Sequence, residues 1–278
     1  MDRNETAPRD FESLKAHLVA AHGGLPKRLK QAADFALRHP DDVALGTVAE
    51  IAARADVQPS TLVRLAQTIG YGGFSEMQQV FLARLKAGWP DYHKRLEALK
   101  TVGPEPHPGL HLHGFSQAAI ASIERLGATL DPIRLEAAVD LLAGADTIHL
   151  VAARRVFPVA AYLAYAFAKM GVRATLVDNV GGMGAEQIAA ARPGDVVLAV
   201  SFAPYTQSTL DLAANAAAAG IPVVAITDSA FSPLIASARA WLEVAEADYG
   251  AFRSLAATFA LAMALAVSVG EKREGAQG

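Results

Sequence analysis

Hydroxyl and guanidinium side chains follow two short apolar runs in the C-terminal part of the chain. The run 195–200 is followed by a hydroxyl-rich turn that opens a helical pattern, and the run 147–152 is followed by two consecutive arginines. Hydroxyls and N–H groups at the start of a helix bind phosphate, and arginine forks bind oxyanions. We therefore predict a small-anion site formed by Arg154, Arg155, Ser201, Thr206, Ser208 and Thr209. The residues alone leave two alternatives open: the hydroxyls only cap the helix, or the arginines form a surface or interface pair.

A second polar group lies in the stretch 47–70, which predicts two short helices joined by a turn. Thr47 and Glu50 have the spacing of a capping box, and Ser60 is predicted to be the N-cap of the second helix. Apolar residues at i, i+3, i+4 and i+7 from Leu62 give that helix a buried face. The pattern indicates a helix-turn-helix, whose second helix enters the DNA major groove. The side chains predicted to contact bases and phosphates are Ser60, Thr61, Arg64, Gln67 and Thr68.

The alternative for this stretch is an ordinary pair of helices with a solvated outer face. Helical patterns over 11–21 and 26–38 precede it, and another begins at residues 75–76. Together they predict a bundle of about five helices over residues 1–100. The stretch 101–114 contains three prolines and three glycines, so we expect a linker without regular structure. No cluster of carboxylates or cysteines accompanies its histidines, at 107, 111 and 113, and no metal site is predicted.

Strand and helix patterns alternate over residues 115–278. Alternation of this kind indicates parallel βαβ units, and hence a doubly wound five-stranded sheet. Predicted strands lie at 147–152, 174–177, 195–200, 222–227 and 241–244. Predicted helices lie at 116–130, 132–143, 157–170, 184–191, 207–219, 233–238 and 252–269. The fold class is α/β, with an all-α head before the sheet. The glycine-rich turn after 174–177 lacks the GxGxxG spacing, so no cofactor is predicted.

Composition limits the class of protein. The chain has no cysteine, which excludes disulfides and thiol catalysis and suits a cytoplasmic protein. Its N-terminus has no signal peptide, and the uncharged stretch 254–270 is too short for a bilayer. Residues 1–100 hold 14 basic and 12 acidic residues, whereas 101–278 hold 11 and 16. A head with so small a positive excess predicts weak DNA binding by a monomer, and therefore a homodimer or homotetramer.

The head and body resemble those of the RpiR-type transcriptional regulators, which join a helix-turn-helix domain to a sugar isomerase (SIS) domain. The resemblance rests on AEIAARADVQPSTLVRLAQTIGYGGFSEMQ in the head and PGDVVLAVSFAPYTQSTLDLAANAAAAGIPVVAITDS in the body. It implies a SIS domain at 115–278 that senses a phosphorylated sugar or related metabolite and supplies oligomer contacts. The family's second phosphate loop, Ser-x-Ser-Gly-x-Thr, keeps only Ser201 and Thr206 here, and Val156 replaces the serine of the first loop. Either the two arginines compensate for the lost hydroxyls, or the ligand is another anion such as a carboxylate.

The predicted function is that of a regulator that binds double-stranded operator DNA and responds to a small anionic metabolite. The alternative is a sugar-phosphate isomerase or lyase of the same fold, which needs an acid–base pair beside the phosphate loop. Carboxylates available for that chemistry are Glu186, Asp228, Glu243 and Glu246, but the sequence gives none of them a partner. An enzyme would also leave the helix-turn-helix unexplained. No catalytic residue and no membrane partner are predicted.

Overall fold

The chain divides between residues 89 and 90 into a head, Met1–Trp89, and a body, Pro90–Gly278. In this computed structural model the described residues are 7–87, 95–96, 99, 107–230 and 232–276. The predicted end of the head near residue 100 and the first part of the predicted linker, 101–106, lie outside them.

Six helices are described in the head. They are α1 Phe11–Ala21, α2 Lys27–Arg38, α3 Pro40–Leu45, α4 Val48–Arg54, α5 Pro59–Thr68 and α6 Phe74–Ala87. Helix α3 was not predicted, because 39–42 looked like a simple end to α2. Only His39 separates α2 from α3, since a proline fits the first helical position without strain. The core between these helices is built from Leu14, Leu18, Ile51, Leu65 and Phe81, all fully buried.

The capping box of α4 is present as predicted. The Thr47 amide donates to Glu50 Oε2 at 2.8 Å, and the Glu50 amide donates to Thr47 Oγ1 at 3.3 Å. The predicted N-cap of α5 is wrong by two residues. Helix α5 begins at Pro59 and its N-cap is Gln58, which makes no side-chain capping bond, so Ser60 lies inside the first turn. Proline at the first helical position already has a helical φ, and this sets the start of the helix.

The predicted absence of regular structure over 101–114 is wrong for residues 108–114. Helix α7, Pro108–Thr129, includes them, with His107 as its N-cap. His107 Nδ1 accepts a hydrogen bond from the Gly109 amide at 3.1 Å. Pro108 therefore starts this helix rather than preventing one, and the glycines that suggested a linker are tolerated within it.

The body contains the predicted five-stranded parallel sheet. Its strands are β1 Ile148–Ala152, β2 Ala174–Val177, β3 Val196–Val200, β4 Val223–Thr227 and β5 Ala240–Glu243. They lie in the order β2-β1-β3-β4-β5, and every pairing is parallel. Strands β1, β3 and β4 are buried along their whole length, as strands covered on both faces must be.

Helices cover both faces of this sheet. The remaining helices are α8 Pro132–Ala143, α9 Phe157–Lys169, α10 Gly184–Ala189, α11 Gln207–Ala218 and α12 Ala256–Gly275. Side chains of α8, α9 and α12 share one core with Leu150 and Leu198, while those of α10 and α11 share another with Val151 and Val197. Two cores on opposite sides of one sheet confirm the doubly wound architecture.

A short antiparallel hairpin was missed. It pairs β6, Asp248–Tyr249, with β7, Phe252–Arg253, so the last helix begins at Ala256 and not at residue 252. The remaining predicted ends differ from the observed ones by a few residues. The predicted short helix at 233–238 is a 3-10 helix, Pro233–Ser237.

Candidate nucleic-acid interface and candidate anion site

The outer face of α5 carries the residues predicted to contact DNA. Arg64, Gln67 and Thr68 are exposed, Ser60 is exposed at the start of the helix, and Thr61 is half-buried. The opposite face of the helix is buried, with Leu62 and Leu65 at 1% and 0% exposure. Packing of the apolar face on the head core therefore turns the polar face outward.

An open cleft runs along this outer face. It is lined by Thr61, Arg64, Gln67 and Thr68 from α5 and by Pro26, Arg28 and Leu29 at the start of α2. Two of the lining residues are arginines and none is acidic, so the cleft suits a phosphate backbone. Thr68 Oγ1 donates to the Arg64 carbonyl at 2.8 Å, which leaves its lone pairs for an outside donor. Arg28 at the start of α2 thus extends this surface beyond the α5 residues predicted to contact bases and phosphates.

Helix α2 also holds the turn between α4 and α5. Gln31 Nε2 donates to the carbonyl of Ala55 at 2.9 Å and to that of Asp56 at 3.2 Å. Arg28 Nη1 donates to the Asp56 carbonyl at 3.0 Å, and Asp56 has a left-handed φ of 51°. These bonds satisfy carbonyls that the end of α4 leaves without helical partners. They fix where α5 begins relative to α4.

The predicted anion residues follow β1 and β3, which are neighbours in the sheet. Ala152, the last residue of β1, pairs with Val200, the last residue of β3. Strand β2 lies on the other side of β1, so the chain reverses its direction of winding between β1 and β3. Ligands of doubly wound sheets bind at this switch point, at the carboxyl ends of the strands.

Arg155 is half-buried at this edge. Its Nη1 donates to the carbonyls of Arg253 and Ser254 at 3.4 and 3.2 Å, and its Cζ lies 5.8 Å from the centroid of the Phe202 ring. Burial, followed by the charge of Arg253, lowers the pKa of the Arg155 guanidinium to about 10, against the opposing charges of Asp228 and Glu246. Arg155 is therefore still a cation at neutral pH. Arg154 beside it is exposed and has a left-handed φ of 56°.

The hydroxyl turn after β3 contains residues of different accessibility. Ser201 and Thr209 are buried at 2% and 1% exposure, Thr206 is half-buried, and Ser208 is exposed. Thr206 is the N-cap of α11, yet its side chain makes no capping hydrogen bond. Capping of α11 therefore does not account for the Thr206 hydroxyl. The structure gathers the turn and the two arginines at one sheet edge, but Thr209 is enclosed.

Three charged residues at the same edge were not predicted to bind the anion. Arg253 Nη1 donates to Asp228 Oδ2 at 2.7 Å, and Asp228 Oδ2 also accepts from the Ala203 amide at 2.9 Å. Glu246 Oε1 accepts from the amide and hydroxyl of Thr258 at 2.8 and 2.7 Å. Asp228 follows β4 directly, so strand order alone would have found it. Arg253 was hidden because its short strand was taken for the start of the last helix.

Models of known protein families match both the head and the body of the chain. Residues 13–87 match the family model described as a helix-turn-helix domain of the rpiR family, and residues 141–268 match the SIS domain model. Among the described residues, no helix combines the length and apolar character that a membrane crossing needs.

Several curated relatives and solved structures are similar to the chain. The uncharacterized HTH-type transcriptional regulator YbbH of Bacillus subtilis (strain 168) is 28% identical over 246 residues, covering 88% of this chain and 84% of YbbH. The bifunctional protein glk of Paraburkholderia xenovorans (strain LB400) is 29% identical over 203 residues, which cover 72% of this chain and only 30% of glk.

The structure of the Vibrio vulnificus NanR protein complexed with ManNAc-6P shares the fold. It has a TM-score of 0.57 and 23% identity, and covers 94% of this chain and 92% of NanR. The two family models together span both units of the chain, and YbbH matches across them. The chain therefore belongs to the RpiR-type transcriptional regulators, which carry a helix-turn-helix domain followed by a SIS domain.

Proposed function

We propose that this regulator binds double-stranded operator DNA through the outer face of α5 and responds to a small anion bound at the carboxyl edge of the sheet. The observation that carries the DNA-binding part is the open cleft lined by Arg64, Gln67 and Arg28, in which no lining residue is acidic. Arg28 also pairs with Asp56, which does not line the cleft, at 3.6 Å from Nη1 to Oδ2. Arginine and glutamine are the side chains that bind guanine and adenine edges in the major groove. Ser60 and Thr61 at the start of α5 bind a backbone phosphate.

The proposed effector site consists of Arg154, Arg155, Ser201, Thr206 and Ser208, with Thr209 behind them. Its support is the position of these residues at the switch point and the cationic charge of Arg155 in a partly desolvated setting, where it attracts an anion more strongly than in water. A sugar phosphate or a sugar acid provides both the anion and hydroxyl groups. The NanR relative, whose structure contains ManNAc-6P, makes phosphorylated sugars the first class to try.

We propose further that the protein is not an enzyme. The carboxylates near the site have structural partners: Asp228 accepts from Arg253 and from the Ala203 amide, and Glu246 accepts twice from Thr258. The oxygens that make these bonds cannot accept a proton from a sugar unless the bonds are broken. We expect the protein to act in the cytoplasm, as a homodimer or homotetramer that brings two heads to paired half-sites.

A thermal-shift screen of the full chain against sugar phosphates, sugar acids and small carboxylates tests the effector site. A ligand that binds only the folded state raises the melting temperature. The double variant Ser201→Ala, Thr206→Ala should lose the shift, and Thr129→Ala, a hydroxyl bonded within α7, should keep it. Turnover of the bound ligand would contradict the regulatory assignment. An unchanged shift in the double variant would exclude the hydroxyl turn as the site.

A further inference from the structure

The β6–β7 hairpin is attached to the candidate anion site by two arginines. Arg253 Nη1 donates to Asp228 Oδ2 at 2.7 Å and to the Ala203 carbonyl at 3.3 Å, which fixes the hairpin to the turn after β3. Arg155 Nη1 donates to the carbonyls of Arg253 and Ser254. Two guanidinium groups at this sheet edge, those of Arg155 and Arg253, therefore hold the hairpin in place.

The same hairpin contacts the start of the body. The Arg95 guanidinium lies 5.9 Å from the centroid of the Phe252 ring. Leu99 packs against Gly250, where φ is +57° and an added Cβ would lie 2.7 Å from Leu99 Cγ. A side chain at 250 would therefore displace Leu99. The tip of the hairpin thus contacts Leu99, and its second strand contacts Arg95, four positions earlier in the sequence.

The position of Arg95 and Leu99 in the sequence shows which part of the chain the hairpin contacts. The head ends at Trp89, so Arg95 and Leu99 belong to the stretch of chain that leads from the head into the body. Arg95 also lies close enough to Arg155 for its charge to act on that guanidinium, after the larger effects of burial and Arg253. The hairpin is thus attached to the anion site at Arg253 and Ser254, and to the connecting stretch at Gly250 and Phe252.

We propose that the β6–β7 hairpin transmits anion binding to the stretch of chain that leads to the DNA-binding head. The inference rests on the anion site of the proposed function. An anion at Ser201 and Thr206 competes with the hairpin carbonyls for Arg155 and with Asp228 for Arg253. Once these bonds weaken, the hairpin loosens its contacts with Arg95 and Leu99. The connecting stretch then takes a different set of positions, and the heads with it.

Amide hydrogen exchange of the full chain tests this coupling without a ligand. Arg155→Met removes the donor to the hairpin carbonyls and imitates the competed state. We expect exchange to accelerate about fivefold in peptides from 248–254, which is the factor that the loss of one hydrogen bond gives. Peptides that contain Arg95 and Leu99 should accelerate by a similar factor. Arg154→Met is the matched control, because Arg154 is an exposed neighbour with no bond to the hairpin among those described. It should leave both regions unchanged.

A second measurement covers the case in which Arg155→Met fails to fold. Inorganic phosphate is added to the wild type, to Leu99→Ala and to Leu96→Ala, whose side chain is 44% exposed. Phosphate should accelerate exchange in the hairpin of all three proteins. It should accelerate exchange around residue 95 only in the wild type and in Leu96→Ala.

The outcomes separate this proposal from the proposed function. If Arg155→Met loosens the hairpin while exchange around Arg95 and Leu99 stays the same, or if Arg154→Met has the same effect, the coupling is refuted. A phosphate response of Leu99→Ala identical to that of the wild type refutes it too. If Arg155→Met loosens both regions but phosphate does nothing to the wild type, the coupling is supported, and phosphate binding at the anion site of the proposed function is refuted.

Discussion

Arg64 is the residue on which the proposed DNA interface depends most. It is exposed on α5 and lines the cleft, and the buried face of the helix opposite it fixes the direction in which it points. We expect Arg64→Ala to cost about 1–3 kcal/mol of operator binding, the usual effect of losing one guanine contact. Lys15→Ala on α1, also an exposed cation of the head, should change binding only slightly. A gel-shift titration at fixed salt measures both. Equal losses would mean that the head contributes only general positive charge.

At the level of elements, the turn between α4 and α5 depends on a residue that does not touch DNA in the proposed interface. Gln31 donates to the carbonyls of Ala55 and Asp56, so Gln31→Ala leaves two carbonyls without this donor. The Asp56 carbonyl keeps its bond from Arg28, so we expect a loss of about 0.5–1.5 kcal/mol in the free energy of unfolding, measured by urea denaturation. Gln67→Ala removes a similar side chain from the exposed face of α5 and should weaken DNA binding without lowering stability. The reverse pattern would assign Gln31 to the interface and Gln67 to the fold.

The capping box of α4 should make part of the head's stability depend on pH. Hydrogen bonds from the Thr47 hydroxyl and the Thr47 amide lower the pKa of Glu50 below its ordinary value of 4.5. A depressed carboxyl pKa stabilises the folded state above pH 4.5, and that stabilisation is lost as the pH falls through the folded pKa.

Thr47→Ala should therefore cost about 1 kcal/mol at neutral pH, by removal of the N-cap, and less in strong acid. Denaturation midpoints of wild type and variant at several pH values provide the measurement. Ser13→Ala removes a hydroxyl that is bonded to Asp10 at the start of α1, and its effect on the denaturation midpoint can be compared with that of Thr47→Ala at each pH. A cost for Thr47→Ala that is the same at every pH would show that Glu50 takes no part.

The sequence predicted the elements whose periodicity extends over several turns or a whole strand. Strands β1 to β5 and the helices between them have strong apolar patterns, and their order gave the doubly wound sheet and the edge where the anion residues gather. It failed where the signal is short or ambiguous. A proline can either end a helix or start one, as Pro108 does, and two-residue strands such as Phe252–Arg253 have no period to detect. Arg253 and its bond to Asp228 were missed for that reason.

At the scale of the whole molecule, the weak positive charge of the head is the property that demands cooperation between chains. Few phosphate contacts by one head give an affinity too low for specific binding, so two heads on paired half-sites are expected to bind together. We expect the body to connect the two heads, as proposed above, and the spacing of the half-sites should then matter. Insertion of about half a helical turn, roughly 5 base pairs, puts the second half-site on the opposite face of the duplex and should weaken binding strongly. Insertion of a full turn, about 10 base pairs, restores the face and should recover part of the affinity.

Operators with the three spacings, titrated side by side in a gel-shift assay, make the comparison. Arg64→Ala serves as the control for specificity, because a variant that has lost base contacts should bind all three operators with similar, weak affinity. An effector that moves the connecting stretch at Arg95 and Leu99 should change the preferred spacing rather than reduce affinity for every operator equally. If the wild type bound all three spacings equally, each head would act alone. The body would then regulate DNA binding by some means other than the placement of two heads.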